Sequence, residues 1–343
     1  MKASIKAKSM LAFMLHRAGI NSWKLRQHSG HDVAVLMYHR VIPREDMSRA
    51  VQAGMVVEPD TLDMHLKYLR DNFDIIPLSD LASDRRDNSQ DPRERPSCVL
   101  TFDDGWRDFY DYAYPILKKH QAPATVFLPT DYIGTNRWFW TDRLGLLLDR
   151  VSLSPEAAKS ASRFDDPLLR NLVRISGTPE TRLEKTIALL KPLKIGEIEE
   201  VLTKLSAALG EDSTPAGRAF LTWEEAQEMS RSGLVFFGSH TAGHPLLTTL
   251  TEEQAQHELR KSMDALIARK VTDTGFIPFC YPNGDFSERL CDMVREAGYH
   301  LAVTTRYGWH HPGTNIHAIR RIALHQDITA TVAMFESRIV KAL

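Results

Sequence analysis

Two adjacent carboxylates and two imidazoles four residues apart are the groups in this chain best placed to do chemistry. Asp103 and Asp104 stand in Thr101-Phe102-Asp103-Asp104-Gly105-Trp106, directly after an apolar run. Neighbouring residues that leave a strand point to different sides, so one carboxylate can bind a metal while the other stays free as a base. A solvated Asp-Gly turn is the plainer alternative. His240 and His244 stand in Ser239-His240-Thr241-Ala242-Gly243-His244-Pro245. A spacing of four puts two imidazoles on one side of a turn, which suits the grip of a single divalent ion. Pro245 disfavours helical geometry at His244, so a tight loop is expected there. Two imidazoles and one carboxylate leave coordination positions open, as catalysis needs. Two unrelated surface histidines are the alternative. A third segment, Phe279-Cys280-Tyr281-Pro282-Asn283-Gly284, ends another apolar run.

The elements that must position these groups alternate along the chain. Val33–Tyr38 is an apolar run of strand length, ending at His39-Arg40. Leu62, Leu66, Leu69 and Phe73 share one helical face and predict a helix over 62–73. Ile75-Ile76 reads as the next strand, and the polar stretch 83–95 as a loop. Strands are expected at 98–102, 124–128, 233–238, 275–280 and 301–304, with helices over 109–119, 252–268 and 287–297. This rhythm argues for an α/β fold with a parallel sheet and crossover helices. If the sheet closes as a barrel, the strand C-termini share one face, where active sites collect. Over 136–221 the pattern changes to helix-like stretches rich in Leu and Lys, read as a helical insertion beside the barrel mouth.

The 343 residues and 43% hydrophobic content allow a sizeable core. With 43 basic against 44 acidic residues, nothing argues for nucleic-acid binding, and a modest, largely neutral ligand is expected. Cys98, Cys280 and Cys291 form no CxxC pair and read as small buried hydrophobes. A basic segment over 1–30, with Lys2, Lys6 and Lys8, precedes the barrel over 31–343. Its apolar run, 10–15, is shorter than a membrane span. His16, Arg17, Lys24 and Arg26 follow it, which permits a basic amphipathic helix on a membrane surface, with a plain solvated helix as the alternative. The expectation is a cytoplasmic protein, with peripheral contact to the inner face of a membrane left open.

Taken together, these segments resemble the polysaccharide deacetylase family. TFDDGW and SHTAGHP carry the likeness, and LMYHRV, ATVFLPT and FLTWEEAQEMSRSG agree in order around them, over about residues 33–330. The resemblance implies a distorted (β/α) barrel of about seven strands holding one divalent metal. Asp104, His240 and His244 would ligate it, and Asp103 would be the general base. The backbone N–H near Asn283 would help to hold the oxyanion. Many family members carry an Arg in the third segment that orients the catalytic Asp, where this chain has Cys280. LMYHRV and YPNG look more like the subgroup that deacetylates poly-N-acetylglucosamine, which points to His39 as general acid, with His325 the competing candidate.

The activity so implied is hydrolysis of N-acetyl groups on an amino sugar, a polysaccharide or its lipid-linked precursor. Zinc is the default metal, while cobalt, nickel or iron also suit such ligands. Trp106, Trp138, Trp140 and Trp309 are candidates for apolar walls against sugar faces, with core packing as the alternative. The rival functions are another amide hydrolase on this scaffold (a sugar deformylase or cyclic-amide hydrolase), a non-catalytic carbohydrate-binding relative, and a scaffolding protein.

Overall fold

The computed structural model describes residues 2–28, 31–46, 52–82, 95–153, 166–210 and 217–341. They divide into two units, one of Met1–Ile42, Gly54–Thr135 and Phe220–Leu343, the other of Pro43–Ala53 and Asn136–Ala219.

The first unit opens with helices α1 (Lys2–Arg17) and α2 (Ile20–Leu25), then strand β1 (Val33–Tyr38). A short pair follows, β2 (Arg40–Val41) with β3 (Val56–Val57), then helix α3 (Pro59–Asn72) and strands β4 (Asp74–Ile75) and β5 (Ser97–Phe102). Helix α4 (Tyr114–His120) leads to β6 (Ala124–Leu128). The second unit intervenes with α5 (Trp140–Leu153), α6 (Pro167–Arg174), α7 (Pro179–Leu190) and α8 (Ile195–Leu209). The first unit resumes with α9 (Trp223–Arg231), β7 (Val235–Ser239), α10 (Glu252–Ala268), β8 (Pro278–Cys280), α11 (Glu288–Glu296) and β9 (Leu301–Tyr307). It ends with β10 (Ile319–Ala323), α12 (Gln326–Thr329) and α13 (Val332–Ile339).

Seven of these strands close a parallel barrel in the order β1-β10-β9-β8-β7-β6-β5. Closure is the pairing of β1 with β5, in register from Val33 opposite Ser97 to Tyr38 opposite Phe102. Every residue of β1 and of β5 is buried. Strands covered on both faces need continuous apolar runs rather than alternation, which is what VAVLMY and SCVLTF supply. The family-implied distorted (β/α) barrel is therefore the observed fold. The second unit has its own core of Leu144, Leu147, Leu172, Leu190, Leu202 and Leu205.

Some elements differ from expectation. The single helix expected over 109–119 starts as a π-turn at Phe109–Ala113, where Tyr114 N–H donates to Phe109 O. Pro115, lacking an N–H and pressing on the turn before it, accounts for the widened ladder. The strand expected over 275–280 is only Pro278–Cys280, because Asp273 and Phe276 first make an isolated bridge. Strand β10 carries arginines at 320 and 321 and was not anticipated. The loop expected over 83–95 lies, apart from Arg95, outside the described residues.

Candidate active site

The barrel rim gathers the candidate groups because each follows the end of a parallel strand. His39 follows β1, Asp103 and Asp104 follow β5, His240 follows β7, Asn283 lies past β8, and His325 lies past β10. His240 N–H donates to Leu128 O and Asp103 N–H to Tyr38 O, so the rim continues the barrel's hydrogen-bond ladder.

Asp104 Oδ1 lies 3.4 Å from His240 Nε2 and 3.4 Å from His244 Nε2. Two donors each ~2.0–2.1 Å from one ion at the tetrahedral angle are about 3.3–3.4 Å apart, so the spacing fits a shared small cation. The outer atoms of Asp104 and His240 are already engaged. Asp104 Oδ2 accepts from the Trp106 indole at 3.0 Å, and His240 Nδ1 lies 2.8 Å from Cys280 O. Such outer contacts fix ring and carboxylate orientation, leaving the inward atoms to a metal. Asp104, Thr241 and His244 have φ of 74°, 65° and 61°. Left-handed backbone costs a non-glycine residue about 1–3 kcal/mol, a strain tolerated where the surroundings fix it. For the loop from His240 to His244, Glu258 of α10 does this, accepting from the N–H groups of Ala242 and Gly243 at 2.9 and 2.8 Å.

Asp103 is buried beside this cluster, with both oxygens 2.7 Å from Arg321 of β10. The guanidinium also donates to Thr304 O, Thr101 Oγ1 and Cys280 Sγ. It thus ties β10 to β9, β5 and β8 across the barrel interior. Asp103, His240 and Cys280 form a second group of ligand type, but Arg321 already supplies its positive charge. Burial alone would raise the Asp103 carboxyl; the Arg321 charge and hydrogen bonds outweigh it and hold the group below its ordinary value. Asp104 is likewise lowered, burial being overcome by His240 and His244. Burial, followed by the charge of His240, pushes His244 down to about 4, while burial of the His240 ring is outweighed by Cys280, Asp104 and Asp103, which raise it.

His39 Nε2 lies 3.7 Å from Asp103 Oδ2. His325 sits on the neighbouring strand end, since β1 and β10 pair with Met37 opposite Ala323. Its Nδ1 is buried without a hydrogen-bond partner among the described residues, and burial lowers its pKa. Asn283 is exposed at φ 57°, and Thr305 Oγ1 donates to its carbonyl. Gly284 follows at φ 74°, where a Cβ would meet Thr305 N at 2.5 Å, so only glycine fits this turn.

Sequence reading missed Arg321. Where the family resemblance puts an Arg in the third segment, this chain has Cys280, and Arg321 of β10 meets Asp103 instead; an Arg in a strand of mixed pattern carries no local signal. Glu258 was missed too, because a Glu in a helix gives no local sign of which distant backbone groups it will meet. Trp106 is not a sugar-facing wall: it is buried, stacked on Phe220 at 4.7 Å, with Arg40 4.2 Å over its ring. Trp309 is buried too, stacked on His28 at 3.7 Å. Trp138 and Trp140 lie in the second unit, Trp138 donating to Gly217 O and Trp140 packing against the leucine core.

Known proteins agree with this architecture. The chain is 23% identical over 301 residues to YxkH of Bacillus subtilis (strain 168), which bears the name of a polysaccharide deacetylase, covering 87% of this chain and 73% of that one. The fold is similar to the Streptococcus pyogenes deacetylase PplD in complex with acetate, at TM-score 0.54 and 21% identity over 87% of this chain and 94% of that one. It is also similar to IcaB from Ammonifex degensii, at TM-score 0.55 and 18% identity over 89% of this chain and 97% of that one. The sequence profile of the polysaccharide deacetylase family matches residues 90–302, and this chain belongs to that family.

Proposed function

We propose that this chain removes N-acetyl groups from an amino sugar within a polysaccharide or its lipid-linked precursor, using one divalent metal, by default zinc. The convergence of Asp104, His240 and His244 on one point, with Asp103 buried alongside in the grip of Arg321, carries the reading. An ion held by Asp104 Oδ1, His240 Nε2 and His244 Nε2 would polarise the acetyl carbonyl and lower the pKa of a bound water.

The chain's own groups do the rest. Asp103 accepts the water proton as the oxygen attacks the carbonyl carbon, and Arg321 keeps both carboxylate oxygens in place. The Asn283 N–H meets no acceptor among the described residues and is the proposed donor to the developing oxyanion. His39 then protonates the amine nitrogen as the C–N bond breaks, leaving acetate and a free amino sugar. Contact with Asp103 supports His39 over His325, whose lowered pKa also disfavours the protonated ring an acid needs.

The test is acetate release from N-acetylglucosamine oligomers and from lipid-linked N-acetylglucosamine. Chelator should abolish it, with zinc, cobalt, nickel and iron then added back in turn. Asp103→Asn should keep the metal yet lose about 10²–10⁴ in rate, as removal of a general base does. Full turnover in that variant overturns the assignment, and formate or ring-opened products in place of acetate identify a different amide hydrolase.

A further inference from the structure

Helices α1 and α2 carry an apolar surface that the fold does not cover. Among the described residues ten large hydrophobic side chains are exposed, and six of them fall between Met10 and Trp23. Met10 is 67% exposed, Phe13 58%, Trp23 57% and Met14 53%. Met10, Phe13, Met14 and Arg17 fall at helical spacing, so they make one outward stripe.

This stripe is not a helix face waiting to fold inward, because the opposite face is already docked. Ala12 is fully buried against Ala333 and Met334 of α13. His16 Nδ1 lies 2.6 Å from Glu336, and Asn21 Nδ2 donates to Ser337 Oγ at 3.0 Å. A stripe of this kind on an anchored helix calls for a partner.

Charge identifies the partner. Residues 1–31 hold six Lys and Arg and no Asp or Glu, leaving 37 basic against 44 acidic residues in the other 312. A basic, acid-free helix pair with an exposed stripe of Met and Phe fits the interface of an anionic bilayer, where apolar side chains enter between headgroups and lysines meet lipid charge. A second protein copy would meet the same positive charge and be repelled. No helix among the described residues is long and apolar enough to cross a membrane, so the contact would be a surface one.

Lys6, Met10 and Phe13 line one pocket with Thr331 and Ala333, while Asn21 meets Ser337 and Lys24 Nζ reaches Lys341 O. Helix α1 thus runs alongside α13 in the same sense, and α13 begins just after the rim that holds His325. The apolar stripe therefore lies toward the catalytic rim rather than the opposite end of the barrel.

We propose that α1 docks this protein on an anionic phospholipid surface through Met10, Phe13 and Met14, with the rim of the barrel held near the headgroups. The docking stands apart from the deacetylase reading. Only its corollary, that the acetylated sugar is met at the bilayer surface, rests on that reading.

The test is co-sedimentation of the full chain with vesicles of phosphatidylcholine containing phosphatidylglycerol, and with phosphatidylcholine alone. Binding to the anionic vesicles is expected, weakened by salt. Phe13→Asp should lower affinity about tenfold or more. Lys6→Gln, on the stripe side of the helix, should lower it by roughly fivefold. These side chains are exposed, so thermal unfolding should be unchanged and serves as the control on folding. Absence of vesicle binding, or equal binding to neutral vesicles, overturns the proposal. So does a dimer that Phe13→Asp dissolves while vesicles are ignored. Because the readout is binding, it stands or falls independently of acetate release.

Discussion

Arg321 and Asp103, 218 residues apart in sequence, face each other inside the barrel through two parallel hydrogen bonds of 2.7 Å. The guanidinium is wholly buried and the carboxylate nearly so. Such a pair is stable only while both members are present, since either one alone is an unpaired charge away from water.

Arg321→Met should therefore cost about 3–5 kcal/mol of stability, the usual penalty for breaking a buried ion pair. Acetate release should fall far more than it does in Arg321→Lys, which keeps the charge but loses the two-pronged geometry. Denaturant melts and turnover measured side by side check this. Normal stability in Arg321→Met would mean that the pair is solvated.

Trp106 holds the outer oxygen of Asp104. Trp106→Phe keeps an aromatic ring against Phe220 but removes the only donor on the side chain. Metal affinity should drop about 10–100-fold, as loss of an outer hydrogen bond to a ligand does. Zinc competition against a chromophoric chelator measures it, and an unchanged affinity would leave Trp106 with a packing role alone.

His39 and His325 can be separated by kinetics. His39→Ala should lose about 10²–10⁴ in acetate release while retaining its metal, the range for a general acid. His325→Ala should stay within an order of magnitude of the parent. The reverse pattern assigns the acid to His325.

His65 makes folding pH-dependent. It is buried, with Nε2 2.8 Å from Thr329 O and Nδ1 3.2 Å from the Tyr38 hydroxyl, and burial lowers its pKa from 6.5 to about 4. The unfolded chain takes up this proton first, so stability present above pH 6.5 is lost as pH falls toward about 4. The full loss is about 3 kcal/mol for a shift of this size. His65→Gln can keep a donor and an acceptor without titrating, and its stability should fall less between pH 7 and pH 4.5. Parallel pH profiles of the two proteins would remove His65 from the account.

Much of this site was legible in sequence because its parts are local. A strand of apolar residues followed at once by Asp103-Asp104 or by His240 places those groups at a strand end, and closure of a parallel barrel brings strand ends together. Pro245 already argued for a loop at His244, and the loop is there. The apolar runs 33–38 and 124–128 mark their strands to the residue, since strands buried on both faces admit little else.

Tertiary structure alone decided the contacts made across the barrel. Arg321 finds Asp103, Glu258 finds the backbone of Ala242 and Gly243, and Trp106 turns inward to Asp104 rather than outward to a ligand. It also brought His39, rather than His325, against the carboxylate. A pattern read along the chain reports which face of an element is apolar. It carries no information about which distant polar group will satisfy a buried charge, because that pairing is fixed by barrel closure and strand register.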